Sequence, residues 1–340
     1  MNTQSVLVTG GTGFIGGWAI VALLSRGYHV RTTIRSADKE AWLRAQIATQ
    51  IDADDRLSFA LADLTDDTGW DSAVAGCDYV LHVAAPVGVK GARDPDDLII
   101  PTRDGALRVL RASCRAGVKR IVLTSAVEAC RPPMSSPDSV GDETRWTDPK
   151  DKRLGPYRLA KTLAERAAWD FMRNQAGATT LTTILPAAVL GPVFSADYAH
   201  ALRLIQGMLT GQMPGIPRAG FCAVDVRDVV DLHILAMIAP EAAGERFIAA
   251  SDWVWMSDMA EILRWTLGDD AQKVPKRKLP NFLVRLAALR DPSARFLVPL
   301  LGRKHEFTSA KAQEYLGWKP RSAKTTIIDT ARSAIAVGTA

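Results

Sequence analysis

The segment Val6-Leu7-Val8-Thr9-Gly10-Gly11-Thr12-Gly13-Phe14-Ile15-Gly16 constrains this chain more than any other. A short apolar run of β type ends in glycines at 10, 13 and 16, and a helical pattern follows through Trp18, Ala19, Ala22, Leu23 and Leu24. Each glycine has its own physical task. Gly10 permits a tight turn, Gly13 lets backbone N–H groups approach a pyrophosphate, and Gly16 lets the helix pack closely on the strand. The phosphates then sit at the positive end of that helix. The segment therefore predicts a dinucleotide-binding turn, with Thr12, Phe14 and Ile15 beside the cofactor.

The first half of the chain goes on alternating strand-like and helix-like segments. Strands are expected near 5–9, 28–34, 57–61, 78–83, 119–124 and 180–185, and helices near 14–26, 38–50, 68–75, 97–116 and 154–175. That alternation predicts an α/β fold, a Rossmann doubly wound parallel sheet with a smaller, interleaved C-terminal substrate lobe. Residues 1–186 form the expected dinucleotide-binding domain and 187–340 mainly the substrate-binding lobe. After Pro186, helical stretches near 198–209, 226–238, 256–266, 280–290 and 309–316 are separated by Pro- and Gly-containing turns. Ala223–Val226 and Arg246–Ala249 read as short strands returning to the main sheet, so that segments near 223–250 rejoin the first domain.

Several function classes recede. The apolar N-terminal run is too short for a secretory signal, and no uninterrupted apolar stretch is long enough to cross a bilayer. Four scattered cysteines suit reduced thiols in a cytoplasmic protein. A formal charge of +5, part of it gathered in Lys273–Lys278 and Arg303–Lys304, reads as a solvated face, because no aromatic-basic module for nucleic acid accompanies it. The histidines show no metal-ligand spacing, and no Gly-x-Ser-x-Gly elbow appears. The expected partner is a small-molecule carbonyl substrate, with no nucleic acid and no membrane, in a monomer or homodimer.

The second strand ends in Ile34, Arg35 and Ser36, where an NAD-binding chain usually places a carboxylate for the ribose 2′-hydroxyl. A guanidinium there can bind a 2′-phosphate with paired charge-assisted hydrogen bonds. NADPH is thereby favoured over NADH, with Lys39 as an assistant; Asp38, which can turn back to a ribose, keeps NADH open. Asp63 and Leu64 follow the third strand, placed to meet the adenine. Val83, Ala84 and Ala85 are small enough to let the cofactor lie close, whereas His82 before them reads as a packed histidine.

Tyr157 and Lys161 open a strongly helical segment, and an i, i+4 pair shares one helical face. A nearby ammonium favours phenolate, which is expected to lower the tyrosine pKa toward a range useful for proton transfer. A second Tyr-x-x-x-Lys, at Tyr315 and Lys319, is broken by Gly317 and followed by Pro320, which makes it a helix end. Thr124 and Ser125 bring hydroxyls to the carboxyl end of the fifth strand, where ligands of open α/β sheets bind. Ser125 is the candidate to polarise a carbonyl. Phe194, Met208, Met213, Phe221, Trp253 and Trp255 offer apolar surface for a moderately apolar substrate, although core packing suits each of them individually.

Thr9–Gly16, His82–Pro86, Leu123–Ser125 and Tyr157–Lys161 together resemble the extended short-chain dehydrogenase/reductases. Asp142–Pro149, Lys161–Trp169, Pro186–Pro192, Val224–Val229 and Leu316–Pro320 narrow the resemblance to the dihydroflavonol reductase-like branch, with its cinnamoyl-CoA reductases and microbial aldehyde and ketone reductases. The resemblance implies Ser-Tyr-Lys catalysis with Tyr157 as general acid, Lys161 on the nicotinamide ribose, Arg35 selecting NADPH, and Pro186 and Val189 near the nicotinamide. Two positions depart from the pattern. Ala126 stands where the branch commonly has its catalytic serine, leaving Ser125 or Thr124 to take over, and Leu185 stands where an asparagine often precedes the proline. The expected activity is NADPH-dependent reduction of an aldehyde or ketone, possible substrate types including aromatic, β-keto and dihydroflavonol carbonyls. A nucleotide-sugar epimerase or dehydratase, and a non-catalytic cofactor-binding protein, are the alternatives.

Overall fold

Seven parallel strands make the centre of the molecule, and their sequences explain why they are buried on both faces. The computed structural model describes residues 4–86, 94–133, 136–290, 294 and 297–339, the side chains of 199–201 excepted. β1 (Ser5–Thr9), β2 (His29–Ile34), β3 (Leu57–Leu61), β4 (Tyr79–His82) and β5 (Arg120–Thr124) follow the expected positions closely. β6 (Ser139–Gly141) lies outside the sheet, pairing in parallel with a later strand. β7 (Thr180–Pro186) completes the first-half set. Runs such as Val6-Leu7-Val8 are continuous rather than alternating, as sheets covered on both sides require.

The covering helices are α1 (Phe14–Ser25), α2 (Lys39–Ala48), α3 (Trp70–Val74), α4 (Asp96–Arg115) and α5 (Pro156–Arg173). α1 is apolar nearly all round, and Ala19, Ile20, Leu23 and Leu24 are buried in the largest core cluster. α4 and α5 are amphipathic and lie against each other on the opposite face.

Beyond β7 come β8 (Ala188–Leu190), α6 (Ala199–Leu209), β9 (Ile216–Pro217), β10 (Gly220–Asp225), α7 (Val226–Ile238), β11 (Arg246–Ala249), β12 (Trp253–Trp255), α8 (Met256–Leu267), β13 (Lys278–Leu279), α9 (Asn281–Ala287) and β14 (His305–Phe307). Helices Ala310–Leu316 and Ala323–Ala336 close the chain, the latter not expected from the sequence. Gly317, at φ +62°, ends the first of these two and separates Tyr315 from Lys319.

The main sheet runs β11-β7-β5-β4-β1-β2-β3. The chain winds outward from β1 to β3, then restarts on the other side of β1 with β4. That reversal opens a crevice at the carboxyl ends of β1 and β4, the place where such sheets bind ligands. One expectation needs correction. Arg246–Ala249 does join the main sheet beside β7, but the strand around Ala223 pairs with β8 and β12 in a separate three-stranded sheet. Its register to Ala188–Leu190 follows from the short β7–β8 connection, which carries the chain out of the main sheet directly after Pro186. Met208 is buried in the lobe core, Met213 and Phe221 pack on it, and Phe194 packs edge-on to Trp18 and Tyr198. These side chains therefore serve packing.

Candidate active site

The glycine turn has the geometry its spacing predicts. Gly10 sits at φ +73°, and a Cβ on it would lie 2.9 Å from the Ala84 Cα. A Cβ on Gly16 would overlap the Gly10 carbonyl oxygen. Gly13 caps α1 without a side-chain hydrogen bond, no acidic residue occupies the first turn, and Thr12 and Gly13 are exposed. A bare, positive helix end is thus left facing the crevice, and it fits a pyrophosphate.

Thr9 fastens this turn to β4. Its Oγ1 accepts from the backbone N–H of Val83 and Ala84, at 3.1 and 3.0 Å, which leaves its own proton for His82 Nδ1 at 2.8 Å. Burial, together with the nearby Lys161 charge, lowers the His82 pKa to about 3. His82 is a neutral packing residue, as expected. Val83, Ala84 and Ala85 remain partly exposed along the crevice.

At the end of β2, Arg35 is exposed and has no hydrogen-bond or ion-pair partner among the described residues. Asp38 accepts a hydrogen bond from the Ser36 hydroxyl, which turns its carboxylate to its own loop and lowers its pKa. Lys39 lies 5.9 Å over the Trp42 ring. The Asp63 carboxylate accepts from Thr65 N and Oγ1 at 2.8 and 2.7 Å, which lowers its pKa, and Leu64 packs against Gly105 of α4. The edge that would meet an adenosine therefore presents Arg35, which has no hydrogen-bond partner among the described residues and whose charge acts on Asp63, and beside it Lys39, where a 2′-phosphate fits.

α5 begins with Gly155 as N-cap and Pro156 in its first turn, a start that pre-sets the helical φ. Tyr157, Lys161 and Glu165 follow at one-turn intervals. Tyr157 is 45% exposed, whereas Lys161 and Glu165 are buried. Lys161 Nζ donates to the Thr124 carbonyl at 3.0 Å. Desolvation lowers its pKa to about 8, against which Glu165 pulls upward.

The expected lowering of the tyrosine pKa is not found and is corrected. Desolvation around the phenol, with the Glu128 carboxylate adding to it, pushes Tyr157 up to about 12. Lys161 is engaged at the end of β5, and the charge acting on the phenol is that of Glu128. Glu128 itself lies between two arginines, with Arg131 Nε at 2.9 Å and Arg158 Nε at 2.5 Å.

The hydroxyls at the end of β5 are both committed. His233 Nδ1 must donate to the Val229 carbonyl at 2.7 Å, so Nε2 takes the Thr124 proton at 2.7 Å. Ser125 donates to Glu165 Oε2 at 2.6 Å. Position 126 is alanine. To polarise a carbonyl, Ser125 has to exchange its bond to Glu165 for one to the substrate. Pro186 is buried at the end of β7, and Val189 is half-buried on β8. A small cavity joins the cluster, lined among others by His82, Ala84, Thr124, Ser125, Lys161 and Glu165.

Glu165 and Arg246 were not singled out from the sequence. Glu165 could have been, since it lies four residues past Lys161 on the same helical face. Arg246 could not; it arrives 81 residues later, from the edge strand β11.

Residues 6–279 match the model of the NAD dependent epimerase/dehydratase family. The chain belongs to that family. Within it the chain lies on the dihydroflavonol reductase-like branch of the extended short-chain dehydrogenase/reductases. It is 36% identical to cinnamoyl-CoA reductase 1 of Petunia hybrida over 268 residues, 77% of each chain. It is 31% identical to an anthocyanidin reductase of Vitis vinifera over 299 residues, 83% of this chain and 84% of that one. Among solved structures it resembles yeast methylglyoxal/isovaleraldehyde reductase complexed with NADPH, with TM-score 0.81, 25% identity, and coverage of 99% of this chain and 100% of that chain. As a family member with a free arginine at the end of β2, it departs from the acidic ribose partner typical of an NAD site.

Proposed function

We infer that this family member reduces an aldehyde or ketone to the alcohol with NADPH. What supports the inference is Tyr157 and Lys161, one helical turn apart on α5, with Lys161 lining the cavity at the carboxyl ends of β4 and β5, together with the bare N-terminus of α1 and Arg35 at the end of β2. When bound, NADPH supplies the hydride that reduces the carbonyl carbon. The glycines at 10, 13 and 16, with Thr12, Phe14 and Ile15, would hold the pyrophosphate; Arg35 and Lys39 the 2′-phosphate; Asp63 and Leu64 the adenine edge; and Val83 to Ala85, Thr124, Pro186 and Val189 the nicotinamide half.

The protein's own part is proton delivery. The Tyr157 phenol is protonated near neutral pH, as an ordinary phenol is, and gives its proton to the carbonyl oxygen. Lys161, the buried cation one turn away, offsets the phenolate that results and donates to ribose hydroxyls. Tyr157, a residue 45% exposed, then recovers a proton from solvent. Ser125 is the hydroxyl placed to steady the carbonyl oxygen once it leaves Glu165. The relatives named above are reductases, one of them of the aldehydes methylglyoxal and isovaleraldehyde, which supports the reaction type.

The test is oxidation of NADPH and of NADH in the presence of a panel of aldehydes, ketones and β-ketoesters. NADPH oxidation that depends on a carbonyl and exceeds that of NADH supports the reading. No turnover with any member, or preference for NADH, contradicts it.

A further inference from the structure

We propose that Glu165 is a positioning residue of the reductase site: locked by Arg246 and Thr183, its carboxylate holds the Ser125 hydroxyl and lines one cavity with the Lys161 ammonium, one helical turn away on α5. The proposal rests on the reductase reading above.

Glu165 is met from every element around it. Ser125 donates at 2.6 Å from the end of β5, Thr183 Oγ1 at 2.8 Å from β7, and Arg246 Nε at 2.8 Å and Nη2 at 3.3 Å from β11. Trp169 Nε1 adds a longer contact, 3.4 Å, from α5 itself. A carboxylate offers about four lone-pair sites, so this one is saturated and its rotamer is fixed. Its side chain has no exposed surface, and that of Arg246 is 9% exposed.

Arg246 is anchored in turn. Nη1 donates to the carbonyls of Glu143 at 2.5 Å and Arg145 at 3.0 Å, and the guanidinium lies 3.7 Å from the Trp146 ring centre. The pair therefore ties α5, three sheet strands and the loop leading toward α5 into one unit. A buried ion pair of this kind is often replaceable by apolar residues without loss of stability. Its place against the cavity that Lys161 lines points to a task in the site.

The charges that bear on the pair can be named. Lys161 faces His82 from β4, the Thr124 carbonyl from β5 and Glu165 from α5. Glu165 faces Ser125, Thr183, Arg246 and Trp169, with Glu143 and the Cys130 thiol beyond them. Among these, Glu165 is the group that raises the Lys161 pKa against desolvation. Ser125, held by the same carboxylate, is kept next to the β5 end, where Lys161 also binds.

The experiment uses the full chain with NADPH and the best carbonyl of the panel. Glu165→Gln keeps the shape and removes the charge. It is expected to lower kcat roughly 10- to 100-fold with little change in carbonyl KM, as loss of an interaction felt in the transition state does. The alkaline limb of kcat against pH is expected to move down by about one pH unit, since Lys161 then loses its proton more readily. Glu165→Asp, which keeps the charge, should recover most of the limb position. If Glu165→Gln fails to fold, Glu165→Gln with Arg246→Met removes both buried charges; the limb should stay displaced in it. An unmoved pH profile in whichever variant folds overturns the proposal. Failure of the wild type to oxidise NADPH with any carbonyl would instead sink the reductase reading, so the two failures are distinct.

Discussion

At the scale of single residues, Arg35 stands exposed at the end of β2 with no hydrogen-bond or ion-pair partner among the described residues, while the carboxylates of Asp38 and Asp63 accept from Ser36 and Thr65. On the proposed cofactor assignment, its replacement removes a charge-assisted contact to the 2′-phosphate worth about 1.5–3 kcal/mol. Arg35→Ser is therefore expected to weaken NADPH binding roughly 10- to 100-fold and leave NADH binding nearly unchanged, read as the KM of each cofactor. Equal losses for both cofactors would contradict the assignment. Much of the candidate site is legible at this scale: the glycines stand at spacings whose geometry the structure reproduces, and Tyr157 and Lys161 share one helix at an i, i+4 spacing. The direction of the Ser125 and Thr124 hydroxyls was not legible, because it depends on Glu165 and His233, which arrive from other elements.

At the scale of elements, α1 is placed by glycine rather than by capping. Gly16 lies against the Gly10 carbonyl with no room for a side chain. Gly16→Ala must push the helix off the turn, at a cost of about 1–3 kcal/mol typical of overpacking. The expected result is a lower melting temperature together with a marked loss of NADPH affinity, measured by cofactor fluorescence; unchanged affinity would mean that the turn is not the phosphate cradle. The parallel strands could be read from sequence because each is a short run of apolar and β-branched residues, such as Val6-Leu7-Val8 in β1 and Thr32-Thr33-Ile34 in β2, spaced between helical segments. Three-residue strands such as Ala188–Leu190 and Trp253–Trp255 carry too few residues for a period, and the partner of β10 is set by tertiary pairing. The helix Ala323–Ala336 has the signal of a Ser322 N-cap, whose hydroxyl accepts from Thr325 N, but its Thr and Ile content hides the helical pattern.

At the scale of the whole molecule, the reversal of winding between β1 and β4 brings the glycine turn, the small residues after His82 and the α5 face to one edge of the sheet. Two buried neutral histidines hold that edge: His82 against Thr9, and His233 against Thr124. Burial lowers their pKa values to about 3 and about 4. The unfolded chain binds more protons than the native one from near the ordinary histidine pKa downward, so their contribution is complete above about pH 6.5 and is lost as pH falls toward those values. Glu143 and Asp228, raised by burial, act in the opposite sense, so the histidine term is best isolated by difference. The stability gap between wild type and His233→Gln, taken from urea melts, should narrow between about pH 7 and about pH 5, because glutamine does not titrate. A gap independent of pH would contradict a neutral His233.

The central claim is that Tyr157 delivers the proton in a reduction driven by NADPH, and Tyr157→Phe tests it most directly. Because Tyr157 is a residue 45% exposed, the variant is expected to fold and to bind NADPH within a few-fold of wild type, while carbonyl-dependent NADPH oxidation falls by roughly 10²- to 10⁴-fold. Turnover at the wild-type rate, with NADPH bound, would contradict the account.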